Sequence, residues 1–210
     1  MVSNILATFI ICIRNAYLLA VRPYRTMRSI ASKPDTSQAA VILIVAGIYF
    51  IYAAAIRAQT LNPLVISTSS MRTLIFFLLT FASTIGFMWI IGKILQRFKL
   101  ADPHDLKVAY VLSSYSLIPT SVWFFITSSL YVLFPPPRYD TFLGTTFSIL
   151  FIIFSCSILV WRIILWYLTI RFSLKAQFMT ILLTMSLYAV WFIPYTFLMY
   201  TFRISRIPFI

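Results

Sequence analysis

The chain has 210 residues, 61% hydrophobic and 10% charged, with a mean hydropathy of +0.96, a composition that excludes an ordinary soluble domain and points to an integral membrane protein. Its net charge of +13 comes from 17 Lys and Arg against four acids, Asp35, Asp102, Asp105 and Asp140, with no Glu. In a soluble chain this excess would suggest nucleic acid, but the basic residues lie in short connections between apolar runs, where orientation and anionic lipid headgroups account for them, so no nucleic-acid partner is expected.

The first thirty residues read as a helix too polar at its end to cross a membrane. At about 100° per residue, Asn4, Thr8, Asn15 and Arg22 share one face, with Ile5, Phe9, Ile13, Tyr17 and Ala20 opposite. The basic cluster VRPYRTMRS follows, giving an in-plane amphipathic interfacial helix with Arg22, Arg25 and Arg28 as candidate contacts for anionic lipid on the inner face. A helix lying in the cytoplasm against the loops is the alternative. The apolar run ILATFIICI has no basic stretch before it and no small-residue cleavage site after it, so no signal peptide is expected.

Crossing a hydrocarbon core of roughly 30 Å takes about 20 helical residues. Five runs reach that length, at about 39–56, 73–95, 107–134, 143–168 and 177–202. The expected architecture is therefore all-α: residues 1–38 as the N-terminal helix and basic linker, 39–202 as a bundle of five membrane spans, and 203–210 as a short outer tail. No connection is large enough for another domain. With the N-terminus inside, the inner side carries Arg14, Arg22, Arg25, Arg28, Lys33, Lys93, Arg97, Lys99, Lys107, Arg162, Arg171 and Lys175, and the outer side only Arg57, Arg72, Arg138, Arg203 and Arg206. The bias places the N-terminus inside and the C-terminus outside.

The third run, DLKVAYVLSSYSLIPTSVWFF, carries hydroxyls and a proline at its middle. On a helix Ser113, Ser116, Thr120 and Thr127 fall within about 60° of one another. Small and hydroxyl residues let membrane helices approach and bond across their interface, so this stripe is expected to face protein. Pro119 has no N–H to give the carbonyl of Tyr115, so a kink is expected there. Similar faces occur as Thr73, Thr80, Ser83 and Thr84 on the second run, Gly144, Ser148 and Ser155 on the fourth, and Thr180 and Thr184 on the fifth, which also contains Pro194. Such faces either pack dry or enclose a hydrated path.

Arg162 lies seven residues after Ser155, on the same face. An arginine inside a span is a functional candidate. The fourth run is long enough for Arg162 to snorkel to the inner interface instead, with Trp161, Trp166 and Tyr167 as an aromatic belt. Reactive constellations are missing. There is one histidine, His104, in the loop ADPHDLK, and no carboxylate inside any span, so protease, zinc and proton-relay chemistry lack their parts. Asp102, His104 and Asp105 form a poor cation cage; Pro103 starts the turn and Asp105 caps the third span. Cys12 and Cys156, in apolar surroundings, read as buried thiols. No enzyme activity, catalytic residue, metal or cofactor is expected.

The segment NAYLLAVRPYRTMRSI, the five runs, and the Tyr-Ser-Leu-Ile-Pro sequence at Tyr115 to Pro119 together resemble the Yip family, five-span proteins named for interacting with Ypt/Rab GTPases, and look most like its short prokaryotic members. The resemblance covers about Arg14 to Tyr200. It implies a helical protein of a prokaryotic plasma membrane with a cytoplasmic N-terminus. GTPase binding by eukaryotic relatives uses a large cytosolic region, which the 38 N-terminal residues do not provide, and no catalytic residue is implied. The expected function is a non-enzymatic scaffold that gathers a membrane-protein partner or its own copies, or organises lipid. The alternatives are a small permease or lipid translocator using Ser113, Ser116, Pro119, Thr120, Ser155 and Arg162, and an accessory subunit of a larger membrane complex.

Overall fold

The computed structural model describes residues 2–58, 63–101, 105–133 and 142–201. Asp102, Pro103, His104, Asp140 and the outer tail 203–210 lie outside them. Every regular element among the described residues is a helix: α1 Val2–Val21, α2 Pro23–Ser32, α3 Thr36–Ala58, α4 Pro63–Arg97, α5 Leu106–Tyr115, α6 Ile118–Leu133, α7 Phe142–Leu174 and α8 Phe178–Thr201. Among the described residues, four stretches are long and apolar enough to cross a membrane: Leu74–Arg97, Leu106–Leu130 across α5 and α6, Gly144–Leu174 and Phe178–Leu198. Large apolar side chains cover the outside, among them Leu79, Ile90, Ile152, Leu159, Val190 and Phe197, each more than half exposed. Water would penalise such a surface; lipid does not.

The single amphipathic helix expected over the first thirty residues is two helices. Pro23 cannot continue the hydrogen-bond ladder of α1 but suits the first position of a new helix, so the chain turns at Arg22 and restarts as α2. The in-plane amphipathic pattern belongs to α2, which buries Thr26, Met27 and Ile30 while Arg22, Arg25 and Arg28 remain exposed. In α1 the expected polar face is divided: Thr8 is half-buried and Arg22 at its end is exposed, but Asn15 turns inward. Asn15 is buried among protein groups, whereas Leu6, Ile10, Ile13 and Tyr17 point outward.

Carboxylates start two of the helices. Asp35 Oδ1 accepts from the Ser37 amide at 2.9 Å, and Asp105 Oδ1 accepts from the Lys107 amide at 2.8 Å, the cap expected for the third span. At the other end of α4, Lys99 adopts a left-handed φ of 57° so that the Leu100 amide can reach back to the Leu95 carbonyl at 2.9 Å. This closes the helix as a Schellman turn.

The third run breaks where its proline demands, three residues upstream of the ring. Ser116 and Leu117 form the turn between α5 and α6. The Ser116 hydroxyl donates to the Ser113 carbonyl at 2.7 Å, and the Leu117 amide donates to the Ser114 carbonyl at 3.1 Å. Pro119 then sits in the first turn of α6, where an amide hydrogen has no helical partner anyway.

Three apolar clusters hold the helices. One joins α1, α2, α3, α5 and α7 through Leu19, Met27, Ile42, Leu112 and Leu165. A second stacks Tyr49 of α3 on Phe124 of α6 at 4.5 Å beside Phe77 of α4. The third packs Met88 and Leu95 of α4 against Ile170, Leu174 and Ile181 of α7 and α8. Within a membrane such contacts gain dispersion energy but little hydrophobic energy, because lipid tails are equally apolar. Polar links between helices therefore carry more of the specificity than they would in a soluble core. The clusters leave a gap between α4, the α5–α6 break, α7 and α8.

Candidate functional site: an arginine cavity inside the bundle

That gap is a cavity of about 550 Å³, within the usual range for small-ligand sites. Two of the hydroxyl faces of the sequence, those of the second and third runs, contribute to it. From the third span come Ser113, Ser116 and Thr120, on both sides of the helix break; from α4 come Thr80 and Thr84; from α7 comes Arg162. The hydroxyl stripe thus does face protein, and it faces a cavity rather than a tightly packed neighbour.

Two of these hydroxyls lack what their neighbours have. Thr80, Thr84, Ser114 and Ser116 each donate to a carbonyl three or four residues earlier. Ser113 and Thr120 are 2% and 7% exposed, yet their hydroxyl oxygens have no hydrogen-bond partner among the described residues. A buried hydroxyl without a partner costs about 1–3 kcal/mol. The indole N–H of Trp166, another residue of the cavity wall, is likewise unpartnered.

The α4–α8 wall is polar in a defined sense. Thr84 Oγ1 spends its one proton on the Thr80 carbonyl at 2.9 Å, so at 3.1 Å the Tyr188 phenol must be the donor and Thr84 the acceptor. The same reasoning makes Tyr195 the donor to Thr80 Oγ1 at 3.4 Å, because Thr80 donates to the Phe76 carbonyl at 2.8 Å. The phenol oxygen of Tyr188 keeps its lone pairs and lies within electrostatic reach of Arg162. Its ring meets Trp166 at 4.6 Å and Phe192 at 5.2 Å, which walls the cavity with aromatic carbon.

Arg162 brings five N–H donors and a fixed positive charge to this space. No Asp or Glu occurs anywhere in α4, α5, α6, α7 or α8. Nine residues separate Arg162 from Arg171, whose guanidinium lies over the Tyr24 ring of α2 at 5.4 Å, so about 13 Å of helix rise divides Arg162 from that basic end. Its half-buried side chain lines the cavity. Trp161 and Trp166 also turn inward, packing on the core clusters. Both indoles are half-buried between helices, as is Tyr167, which accepts from Arg171 at 3.1 Å.

The other expected residues lie elsewhere. Ser155 accepts the Trp123 indole N–H at 2.9 Å and so links α7 to α6 outside the cavity. Pro119 is buried at the start of α6 and shapes the break without lining the space. Thr180 and Thr184 are buried within α8, Thr184 donating to the Thr180 carbonyl at 2.8 Å, and the side chain of Thr73 lies outside the described residues. Arg22, Arg25 and Arg28 cluster at α2, away from the cavity. Cys12 is buried, but Cys156, expected to be buried, is exposed on the outside of α7. Tyr188 was not singled out from the sequence, although it follows Thr184 by one helical turn and so shares its face.

Among the described residues no group of three metal-ligating side chains comes together. None of the cavity residues is a histidine or carboxylate that could serve as a base for Ser113 or Thr120. A fixed cation, hydroxyl and indole donors without partners, and apolar aromatic walls meet in this cavity, a set with the chemistry to accommodate an anion. No protein-family model, curated protein or solved structure matches the chain, so the chemistry of the cavity carries the assignment.

Proposed function

We propose that this chain is a non-enzymatic integral membrane protein that binds an anionic ligand inside the bilayer, at Arg162, and acts as a small carrier or translocator. Five crossings are proposed, α3 joining the four apolar stretches, with the basic segment Arg22–Lys33 on the inner side of a prokaryotic plasma membrane, α2 on anionic headgroups, and the C-terminus outside. The observation that supports the function best is Arg162 lining an interior cavity whose helices hold no carboxylate, alongside the unpartnered hydroxyls of Ser113 and Thr120. A cation at membrane depth without an ion-pair partner is expensive, and an anion in the cavity offsets that cost while accepting from the hydroxyls.

The test is native mass spectrometry of the protein purified in mild detergent, compared with Arg162→Gln and Arg162→Lys. An anionic adduct retained by the wild type, reduced in Arg162→Lys and lost in Arg162→Gln supports the reading. Equal adducts on all three reject it.

The Yip-like scaffold is the second reading, favoured by one observation. The Tyr115–Pro119 sequence that carries the resemblance coincides with the α5–α6 break, and Tyr115 anchors that break to α1 and α3, giving the motif a structural meaning independent of any ligand. Affinity purification from native membranes tests it: a stoichiometric protein partner favours the scaffold or an accessory subunit, and a partner-free protein argues against both.

A further inference from the structure

The seams of the cavity are not alike. Between α4 and α8 it is tied by the Tyr188–Thr84 and Tyr195–Thr80 hydrogen bonds. Between α6 and α7 the Trp123–Ser155 bond closes it, and between α5 and α7 the Thr169 hydroxyl reaches the Leu112 carbonyl at 3.4 Å. The α7–α8 seam is met instead by the ring contact of Trp166 with Tyr188. One to two turns beyond that contact, toward the N-terminal end of α7 and the C-terminal end of α8, the rim is formed by Leu159, Ile163 and Ile193. These line the cavity and are also 57%, 50% and 53% exposed. Side chains that face both the cavity and the outside mark an opening, and on this face the outside is hydrocarbon.

From this opening we infer that the ligand is an anionic membrane amphiphile that reaches the cavity sideways from the bilayer between α7 and α8. Its phosphate or carboxylate head sits on Arg162 and its acyl tail leaves past Ile163 and Ile193. The inference rests on the anion-binding reading above and narrows it. The charge of Arg162 selects the head. The wall selects the rest: Phe81, Leu117, Met185 and Phe192 offer a small water-soluble anion no replacement for its hydration, whereas they are suitable neighbours for methylene groups. An amphiphile delivered from the bilayer also remains in contact with lipid at the open seam, which a soluble anion has no reason to use. The cavity is too small to enclose a whole two-tailed lipid, so the open seam is where the tails remain in the membrane.

The experiment uses the full chain in phosphatidylcholine nanodiscs, titrated with phosphatidic acid or phosphatidylcholine brominated on the tails, reading tryptophan quenching. Lipid-facing Trp89, 46% exposed, gives a background common to both lipids. The expected result is an additional saturable component for phosphatidic acid alone, weakened at least tenfold in Arg162→Gln, reduced by less in Arg162→Lys, and slowed in its onset by Ile163→Trp at the rim. Inorganic phosphate is the competing probe. If millimolar phosphate abolishes the component, or phosphate binds in an Arg162-dependent way while phosphatidic acid shows no excess quenching, the sideways-amphiphile inference falls and the anion site stands. If neither probe depends on Arg162, both fall. Should Arg162→Gln fail to fold, Thr120→Val and Ile163→Trp serve in its place, and a saturable component unchanged in both overturns the inference.

Discussion

Asn15 Nδ2 donates to the Tyr115 phenol oxygen at 3.0 Å, joining α1 to the last residue of α5. The phenol in turn donates to Gln38 Oε1 on α3, and Gln38 Nε2 reaches Asp35 Oδ2 at 3.3 Å. Tyr115 is completely buried. Three helices are thus pinned at the residue before the break. Polar links between membrane helices average about 0.6 kcal/mol, and a buried group left unpaired costs about 1–3 kcal/mol. Tyr115→Phe and Asn15→Leu should therefore each destabilise the protein by about 1 kcal/mol, and the double variant by clearly less than their sum. Thermal unfolding in detergent measures all three; strict additivity would show that the two side chains do not interact.

Pro119 keeps the break open because its nitrogen cannot donate to the Tyr115 carbonyl. Pro119→Ala restores that donor, and the gain of one helical hydrogen bond favours a straighter α5–α6. The distance between spin labels at Lys107 and Ser129 is expected to lengthen by a few ångströms in the variant, and anion retention at Arg162 to fall, because Ser113 and Thr120 lie on the two sides of the break. An unchanged distance would assign the break to Ser116 and Leu117 instead.

Helix content, the inward hydroxyl stripe and the place of the break were legible in the sequence because each follows from local chemistry: apolar run length, a three-to-four residue period and a missing amide hydrogen. The fate of Arg162 was not. Residue spacing placed it near the inner end of an overlong span, and the cavity that it lines is made only by the approach of α4, α5, α6 and α8. Ser155 is separated from the cavity for a related reason. Periodicity puts Ser155 and Arg162 on one face of α7, but the face is long enough to meet two different neighbours, Trp123 at one level and the cavity at another. The direction of α1 was hidden as well, since an amphipathic pattern does not say whether its polar side meets water or, as Asn15 does, a tyrosine and a glutamine.

The two sites on that α7 face are separable by mutation. Ser155→Ala removes the acceptor of the Trp123 indole N–H and should cost about 0.5–1 kcal/mol of stability without changing anion retention. Thr120→Val removes a cavity hydroxyl that has no partner to lose, so stability should hold or rise slightly while anion retention weakens severalfold. Unfolding midpoints and native mass spectra of the two variants give opposite patterns if Thr120 belongs to the site and Ser155 to the scaffold; matching patterns would dissolve the distinction.

The N-terminal pair of helices makes the last prediction. The groove between α1, α3 and α6 is lined by Phe9, Cys12 and Ile13 on one side and by Val45, Val122 and Phe125 on the others. Residues 9–13 of α1 therefore share the depth of α6, beyond the Ser116 break, and should lie in hydrocarbon. Arg25 and Arg28, on the exposed side of α2, should lie at the aqueous surface. In a chain with Cys12 and Cys156 replaced by alanine, single cysteines at Arg25 or Arg28 should react rapidly with a water-soluble maleimide applied to inside-out vesicles. Cysteines at Phe9 or Ile13 should react at least tenfold more slowly until the membrane is dissolved. Rapid labelling at Phe9 and Ile13 would place α1 flat on the inner surface, and the contact of Asn15 with Tyr115 would then have to form at the membrane boundary rather than within it.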